Sequence, residues 1–148
     1  MDKEPMKSRE EQINTFVDAC RKVGLRVTQQ RLEIQGELMK ATDHPTAETL
    51  YQRLRLKLPT ISLDTVYRNL AVLANHGLIN KVETSASLAR FEASQIPHHH
   101  LICRTCGEIM DFRWSFIDEA ALPDKIRNWG KIDHRNVVAY GICNKCLK

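Results

Sequence analysis

Four of the five cysteines stand in two pairs whose spacing is typical of a metal site. Cys103 and Cys106 form one Cys-x-x-Cys pair and Cys143 and Cys146 the other, each at the end of a predicted strand. Tetrahedral zinc takes four thiolates, and each such turn presents two of them on one side of the ion. The pattern therefore predicts a closed structural zinc site. Redox pairs or disulfides are the alternatives, but a redox pair usually opens a helix, and neither pair does.

A second cluster of candidate ligands precedes the first cysteine pair. Residues i and i+2 of a strand share a face, so His98 and His100 are predicted to point together and His99 away from them. A site of imidazoles and carboxylates suits Fe(II), Mn(II) or Zn(II), whereas a copper(I) site would use Cys or Met. The alternative is that the three histidines are simply exposed beside a linker. The candidates to complete the site are His44, Glu92 and Asp111.

A polar helix face upstream of these ligands carries side chains that can contact DNA. The third predicted helix, 46–58, is followed by a short turn, a longer amphipathic helix and a hairpin, which is the element order of a winged helix-turn-helix. Arg can pair with guanine and Asn with adenine, while Tyr and Thr can contact a thymine methyl group or a phosphate. An ordinary solvated helix face is the alternative. The candidate contact residues are Ser62, Thr65, Tyr67, Arg68 and Asn69.

Four helices are predicted before the first strand. Each follows a Ser or Thr that can accept a hydrogen bond from the first-turn backbone, and each carries apolar residues for burial. Ser8 and Glu11 also have the spacing of a capping box. Pro59 is expected to end the third helix. The predicted N-caps are Ser8, Thr28, Thr46 and Ser62.

Two domains are expected in an α+β fold. Two short strands around a turn at 84–87 complete an N-terminal winged helix-turn-helix domain over residues 1–93. Residues 95–97 are predicted to form a linker, and residues 94–148 a small C-terminal α/β domain. That second domain is expected to contain three strands and a helical stretch that Pro123 splits or kinks.

Composition and charge limit the classes of protein further. The 148 residues are 43% hydrophobic and 27% charged, which favours a folded globular chain. No apolar run approaches the roughly 20 residues of a membrane helix, and the charged N-terminus has no signal core, so a cytoplasmic location is expected. A net charge of +4 permits nucleic-acid binding without requiring it. Cys20, alone on an apolar helix face, is expected to be a core residue.

Together these motifs resemble the ferric uptake regulator (Fur) family of bacterial metal-dependent repressors. The similarity runs in family order from about residue 21 to 146 and joins a DNA reader to both metal motifs, a combination that is highly specific. The matching stretches are RVTQQR (26–31), HPTA (44–47), SLDTVYRNL (62–70), HGL (76–78), RFE (90–92), HHHLICRTCG (98–107), DF (111–112) and YGIC (140–143).

The resemblance implies a repressor that binds double-stranded operator DNA as a homodimer through its C-terminal domain. It implies structural zinc at the four paired cysteines. Regulatory metal bound by both domains would fix the spacing of the two recognition helices, about 34 Å for half-sites one helical turn apart. The positions that match the family's regulatory site, expected to hold Fe(II) or Mn(II), are His44, Glu92, His98, His100 and Asp111.

Several differences from the family pattern indicate which effector, a metal ion or peroxide, the repressor responds to. Ile96 and Pro97 replace two histidine-motif positions of the iron-uptake branch, so that branch's accessory metal site is not expected. The peroxide-sensing branch usually has Asp where this chain has Glu92, and zinc-sensing members tend to place a cysteine in the regulatory site. These differences favour a repressor of metal homeostasis that responds to Fe(II) or Mn(II). A peroxide-sensing repressor of oxidative-stress genes, acting through metal-catalysed oxidation of His44 and His98, is the alternative.

Two other functional classes compete with a repressor. An enzyme could use imidazoles and carboxylates around an open metal position to activate water or dioxygen. A zinc-stapled module could bind proteins without affinity for DNA. The chain has no recognisable nucleophile signature, and the enzyme interpretation leaves Tyr67, Arg68 and the wing unexplained.

Overall fold

The computed structural model describes residues 7–84, 88–93 and 96–148, which have the expected α+β fold. Among these residues the chain forms two compact units, one of residues 7–83 and 88–93, the other of residues 84 and 96–148. Residues 85–87 of the expected hairpin turn and Gln95 of the expected linker lie outside the described residues. No helix in the described ranges is long and apolar enough to cross a membrane.

The first unit begins with four helices that start where the sequence predicts. In every case the N-cap side chain accepts a hydrogen bond from the backbone N–H three residues later, which satisfies one of the unpaired donors of the first turn. At Ser8 the capping box with Glu11 is complete. The helices are α1 (Arg9–Lys22), α2 (Gln29–Lys40), α3 (Ala47–Leu54) and α4 (Leu63–Asn75).

Helix α3 is shorter than predicted, because it ends at Leu54 and not at Leu58. The carbonyl of Leu54 accepts hydrogen bonds from the N–H groups of both Lys57, at 3.0 Å, and Leu58, at 2.8 Å. This shared acceptor closes a tight turn that leaves the helix before Pro59. The connection to α4 is correspondingly longer than the sequence indicated.

A two-stranded antiparallel hairpin completes the first unit. Strands β1 (Asn80–Glu83) and β2 (Ala89–Glu92) pair with Asn80 opposite Glu92. The Phe91 N–H donates to the Pro45 carbonyl at 3.0 Å, which fastens β2 to the loop before α3. As predicted, Cys20 is a buried core residue. Fully buried members of the same core are Ile34, Leu50, Leu54, Val66, Leu70 and Leu73.

The second unit is a three-stranded sheet with two short helices. Strand β3 (His99–Cys103) lies between β4 (Ile109–Phe112), which is antiparallel to it, and β5 (Val138–Gly141), which is parallel to it. Helices α5 (Ser115–Glu119) and α6 (Asp124–Arg127) replace the single helical stretch, and Pro123 is the N-cap of α6, so the predicted split occurs.

Candidate metal centres and DNA-reading face

The four paired cysteines meet at one end of the second unit's sheet. Strands β3 and β5 are parallel neighbours, so Cys103, the last residue of β3, and Cys143, just after β5, lie at the same end of the sheet. The Arg104 N–H donates to the Gly141 carbonyl at 2.8 Å. All four Sγ atoms lie within 4.8 Å of one another, and no disulfide joins them. The Cys106 and Cys143 sulfurs are 3.8 Å apart, which matches the edge of about 3.8 Å of a thiolate tetrahedron around zinc.

The electrostatics of these thiols fit a cation at their centre. Backbone N–H groups, first that of Cys106 and then that of Cys143, lower the pKa of Cys103 to about 6. The neighbouring sulfurs, Cys143 first, raise the pKa of Cys146 to about 12. Four thiols this close cannot all ionise unless a positive charge compensates them, and a zinc ion would supply that charge.

Three of the predicted regulatory ligands converge within the second unit. His98 and His100 lie on the same side of β3, as predicted from strand alternation, with their Nε2 atoms 3.1 Å apart. The Oδ1 atom of Asp111, which pairs across from His100 on β4, is 3.4 Å from His100 Nε2 and 3.9 Å from His98 Nε2. Two ring nitrogens and a carboxylate oxygen therefore form a compact chelating group.

His99 points to the opposite side of β3 and is completely buried. Its Nε2 atom is 2.9 Å from Oδ1 of Asp118 on α5, and its Nδ1 accepts a hydrogen bond from the Val137 N–H at 2.9 Å. Because Nδ1 is an acceptor here, the ring proton is on Nε2 and points at the carboxylate. Asp118 was not singled out by sequence reasoning, since only the fold brings α5 against β3.

The two other predicted regulatory ligands pair within the first unit. His44 Nε2 and Glu92 Oε2 are 2.9 Å apart and both side chains are buried. The Asn80 side-chain amide donates to Glu92 Oε1 at 3.3 Å, across the hairpin. Burying a carboxylate costs free energy unless it is hydrogen-bonded or paired. The contacts with His44 and Asn80 offset that cost and hold the Glu92 side chain in one orientation.

The backbone around His44 is held in an unusual conformation. His44 has a φ of 48°, in the left-handed region that costs a non-glycine residue about 1 kcal/mol or more. Arg90 of β2 donates to the His44 carbonyl through Nε and to the Asp43 carbonyl at 3.0 Å through its terminal nitrogen. Arg90 belongs to the RFE motif, but its clamp on the backbone was not predicted from the sequence; it joins the loop that carries His44 to the strand that carries Glu92.

The predicted DNA-contact residues of α4 have different surroundings. Tyr67 and Arg68 are exposed, and Arg68 donates to Asp64 one turn earlier at 2.5 Å. The Ser62 hydroxyl caps the helix and lies 2.8 Å from that of Thr65. Asn69 is buried, and its amide nitrogen donates to the Thr65 carbonyl at 2.9 Å. Ser62, Thr65, Tyr67 and Arg68 therefore offer groups at the helix surface, whereas Asn69 does not.

Comparison with known proteins identifies the family. The model of the ferric uptake regulator family matches residues 22–138. The peroxide-responsive repressor PerR of Staphylococcus epidermidis is 34% identical over 142 residues, which cover 95% of this chain and 94% of that protein. The peroxide operon regulator of Bacillus subtilis is 32% identical over 137 residues, 93% of this chain and 94% of that protein.

A solved structure agrees with this assignment over nearly the whole chain. The Helicobacter pylori ferric uptake regulator Fur, described as having three functional metal binding sites, superimposes with a TM-score of 0.76 at 25% sequence identity. The match covers 99% of this chain and 98% of that one. The chain belongs to the ferric uptake regulator family, and it is accordingly a metal-responsive regulator and not an enzyme.

Proposed function

We propose that the chain is a cytoplasmic, metal-dependent transcriptional repressor that binds operator DNA as a homodimer. The observation that carries this proposal is that each compact unit contains part of a chelating set. The first contributes the His44–Glu92 pair, the second the group formed by His98, His100 and Asp111. One metal ion held by all five would join the DNA-reading unit to the second unit.

The free energy of metal binding at such a shared site would be sufficient to switch the protein to its DNA-binding arrangement. Metal favours the DNA-binding arrangement only through its higher affinity for that arrangement, and moving a population from 1:99 to 99:1 needs about 5.5 kcal/mol. Two or three ligands are available when the units are apart, and five when the site is complete. The gain of the buried His44 and Glu92 as ligands is the difference that would supply this free energy.

The roles of the two domains are assigned from the positions of their ligands. We assign residues 1–93 to a winged-helix DNA-binding domain and residues 94–148 to a dimerisation and metal-sensing domain. Zinc at the four paired cysteines would hold the ends of β3 and β5 together, because metal-binding energy at such a site is folding energy. Four thiolates suit zinc, whereas imidazoles and carboxylates suit Fe(II) or Mn(II).

A homodimer is supported by an apolar surface on the second unit's sheet. A cleft of about 350 Å³ runs beside strands β3 and β5. Two large apolar side chains that line it, Leu101 and Met110, pair across β3 and β4 and therefore share one face of the sheet, and both are at least one-third exposed. Adjacent exposed apolar side chains of this kind are typical of interaction surfaces. A second copy of the same sheet would cover them.

DNA recognition is proposed for the exposed face of α4. Tyr67 and Arg68 extend from the helix, and Ser62 and Thr65 offer hydroxyl groups at its N-terminus, where phosphate is favoured by the helix dipole. In this proposal Asn69, which the sequence suggested as a base contact, orients the helix from inside the unit.

Either a metal ion or peroxide could be the signal to which the repressor responds, and each has some support. The carboxylate Glu92, in place of the Asp expected for peroxide sensing, favours a response to Fe(II) or Mn(II). The names of the Staphylococcus epidermidis and Bacillus subtilis relatives favour peroxide sensing, in which oxidation of His44 and His98 would release the DNA.

A DNA-binding assay tests the proposed function. Purified dimer is titrated onto DNA from upstream of its own gene, with and without Mn(II), and onto a scrambled duplex. Specific binding that requires Mn(II) is expected. Specific binding of the same strength without Mn(II) would contradict the metal dependence. No preference for the upstream DNA at any Mn(II) concentration would contradict the proposal and favour a protein-binding module.

A further inference from the structure

Helices α1 and α2 of the first unit enclose a cleft that the proposed DNA and metal contacts do not use. Its volume is about 470 Å³, within the range of about 300–1,000 Å³ typical of small-molecule sites. Four large apolar side chains line it among polar ones: Ile13 and Phe16 come from α1, and Leu32 and Met39 from α2. Ile13 and Met39 are 42% and 38% exposed, so the cleft opens apolar surface to solvent.

A glycine in the middle of α2 keeps this cleft open. Gly36 lines the cleft, and a Cβ atom added there would meet nothing within 4 Å. Glycine inside a helix costs about 0.5–1 kcal/mol relative to alanine, and it is usually explained by a close contact or an unusual φ. Neither explanation applies to Gly36 among the residues described. What remains is that the missing side chain leaves room for another molecule.

Positive charges gather at the rim of the cleft. Arg9, Lys40 and Lys57 line it, while Glu33 and Glu37 supply two carboxylates, so the cations outnumber the anions. Lys57 Nζ is 3.1 Å from Glu37 Oε1 and 3.7 Å from Glu33 Oε2, and Lys40 Nζ is 3.9 Å from Glu37 Oε1. The adjacent Lys57 amine, and to a smaller extent Arg9, lower the pKa of Lys40. An additional anion would relieve this repulsion.

We propose that this cleft binds a small anionic amphiphile of the fatty-acid type. The carboxylate lies against Arg9, Lys40 and Lys57, and the aliphatic chain lies over Gly36 between Ile13 and Met39. This activity is separate from the proposed DNA and metal binding and does not depend on them.

Calorimetric titration of the full-length protein with decanoate and with decylammonium tests the proposal. We expect saturable binding of one decanoate per chain and at least tenfold weaker binding of decylammonium. Equal affinity for decanoate and decylammonium would reduce the cleft to a nonspecific apolar surface and overturn the proposal. Binding to phosphatidylglycerol vesicles without binding of monomeric decanoate would also overturn it, because the ligand would then be a membrane headgroup.

Two variants separate the cleft from the rest of the protein. Gly36→Leu fills the cleft while raising helix propensity, so it should remain folded and bind decanoate at least tenfold more weakly. Lys57→Ser should weaken decanoate binding and strengthen decylammonium binding, because Glu33 and Glu37 lose the cation that pairs with them. The matched control is Lys81→Ser on β1, which removes an exposed lysine outside the cleft and should change nothing. Wild-type decanoate affinity in a folded Gly36→Leu protein would contradict the proposal.

Discussion

The Nε–H of Arg31 on α2 donates a hydrogen bond of 3.1 Å to Oδ1 of Asn69 on α4. A second nitrogen of the same guanidinium donates to the Arg26 carbonyl at 2.6 Å, and the Asn69 amide donates to the Thr65 carbonyl. Both polar ends of Asn69 are thus engaged inside the unit. The side chain fixes the orientation of α4 relative to α2, and the DNA-contact groups beside it inherit that orientation.

Removal of the Arg31–Asn69 hydrogen bond should weaken DNA binding because α4 loses its orientation, and not because a base contact is lost. Asn69→Ala leaves the partly buried Arg31 Nε–H without its acceptor, which is expected to cost about 1 kcal/mol of stability. Operator affinity should fall by a similar factor on every sequence variant of the operator, and Asn69→Asp, which keeps the acceptor, should recover part of it. Thermal unfolding combined with binding to a set of point-mutated operators measures both effects. Loss of preference at a single base position with unchanged stability would make Asn69 a base contact.

Arg68→Ala should give the opposite pattern. Its side chain is 75% exposed and its ion pair with Asp64 is on the surface, so stability should change little. If Arg68 contacts a guanine, affinity should fall by about 1–3 kcal/mol and the loss should be concentrated at one base pair. A loss spread evenly over all sequences, with a shallower salt dependence, would identify a phosphate contact instead. Asp64→Ala is the matched control, and undiminished affinity in Arg68→Ala would move the recognition surface elsewhere.

The sequence was most informative where local chemistry decides the structure. All four helix N-caps, the split at Pro123 and the opposite faces of His99 and His100 follow from hydrogen bonding, ring geometry and strand alternation between near neighbours. It was least informative where distant segments meet. The early end of α3, the burial of Asn69 under Arg31 and the pairing of His99 with Asp118 depend on packing between elements that no local pattern specifies.

Loss of one cysteine should release zinc and destabilise the second unit. Wild-type protein is expected to contain one tightly held zinc per chain, and Cys106→Ser to lose it, because three thiolates bind zinc far more weakly than four. Zinc content by mass spectrometry and dimerisation by analytical ultracentrifugation provide the measurements. Cys20→Ser is the control: Cys20 lies in the first unit's core, away from the four paired cysteines, so this variant should retain its zinc. A Cys106→Ser dimer with normal thermal stability would exclude a structural role for the site.

Exposure to peroxide should distinguish the two proposed signals. The Fe(II)-loaded protein is treated with micromolar-range peroxide, and peptides containing His44 or His98 are examined by mass spectrometry for an added oxygen. We expect slow oxidation in the wild-type protein and faster oxidation in Glu92→Asp, because the longer carboxylate side chain alters ligand placement in the proposed site. Rapid, stoichiometric oxidation of either histidine in the wild-type protein would establish peroxide sensing in place of a metal response.

The Mn(II) dependence of operator affinity, measured in variants of each partial chelating set, shows whether one metal ion is shared by His44, Glu92, His98, His100 and Asp111. Glu92→Ala removes a ligand from the first unit and Asp111→Ala removes one from the second. We expect both variants to retain zinc and remain dimeric, and each to lose activation by Mn(II). The double variant should be no worse than either single one, since all three lack the same completed site. Normal activation by Mn(II) in either single variant would contradict a shared site and with it the proposed switch.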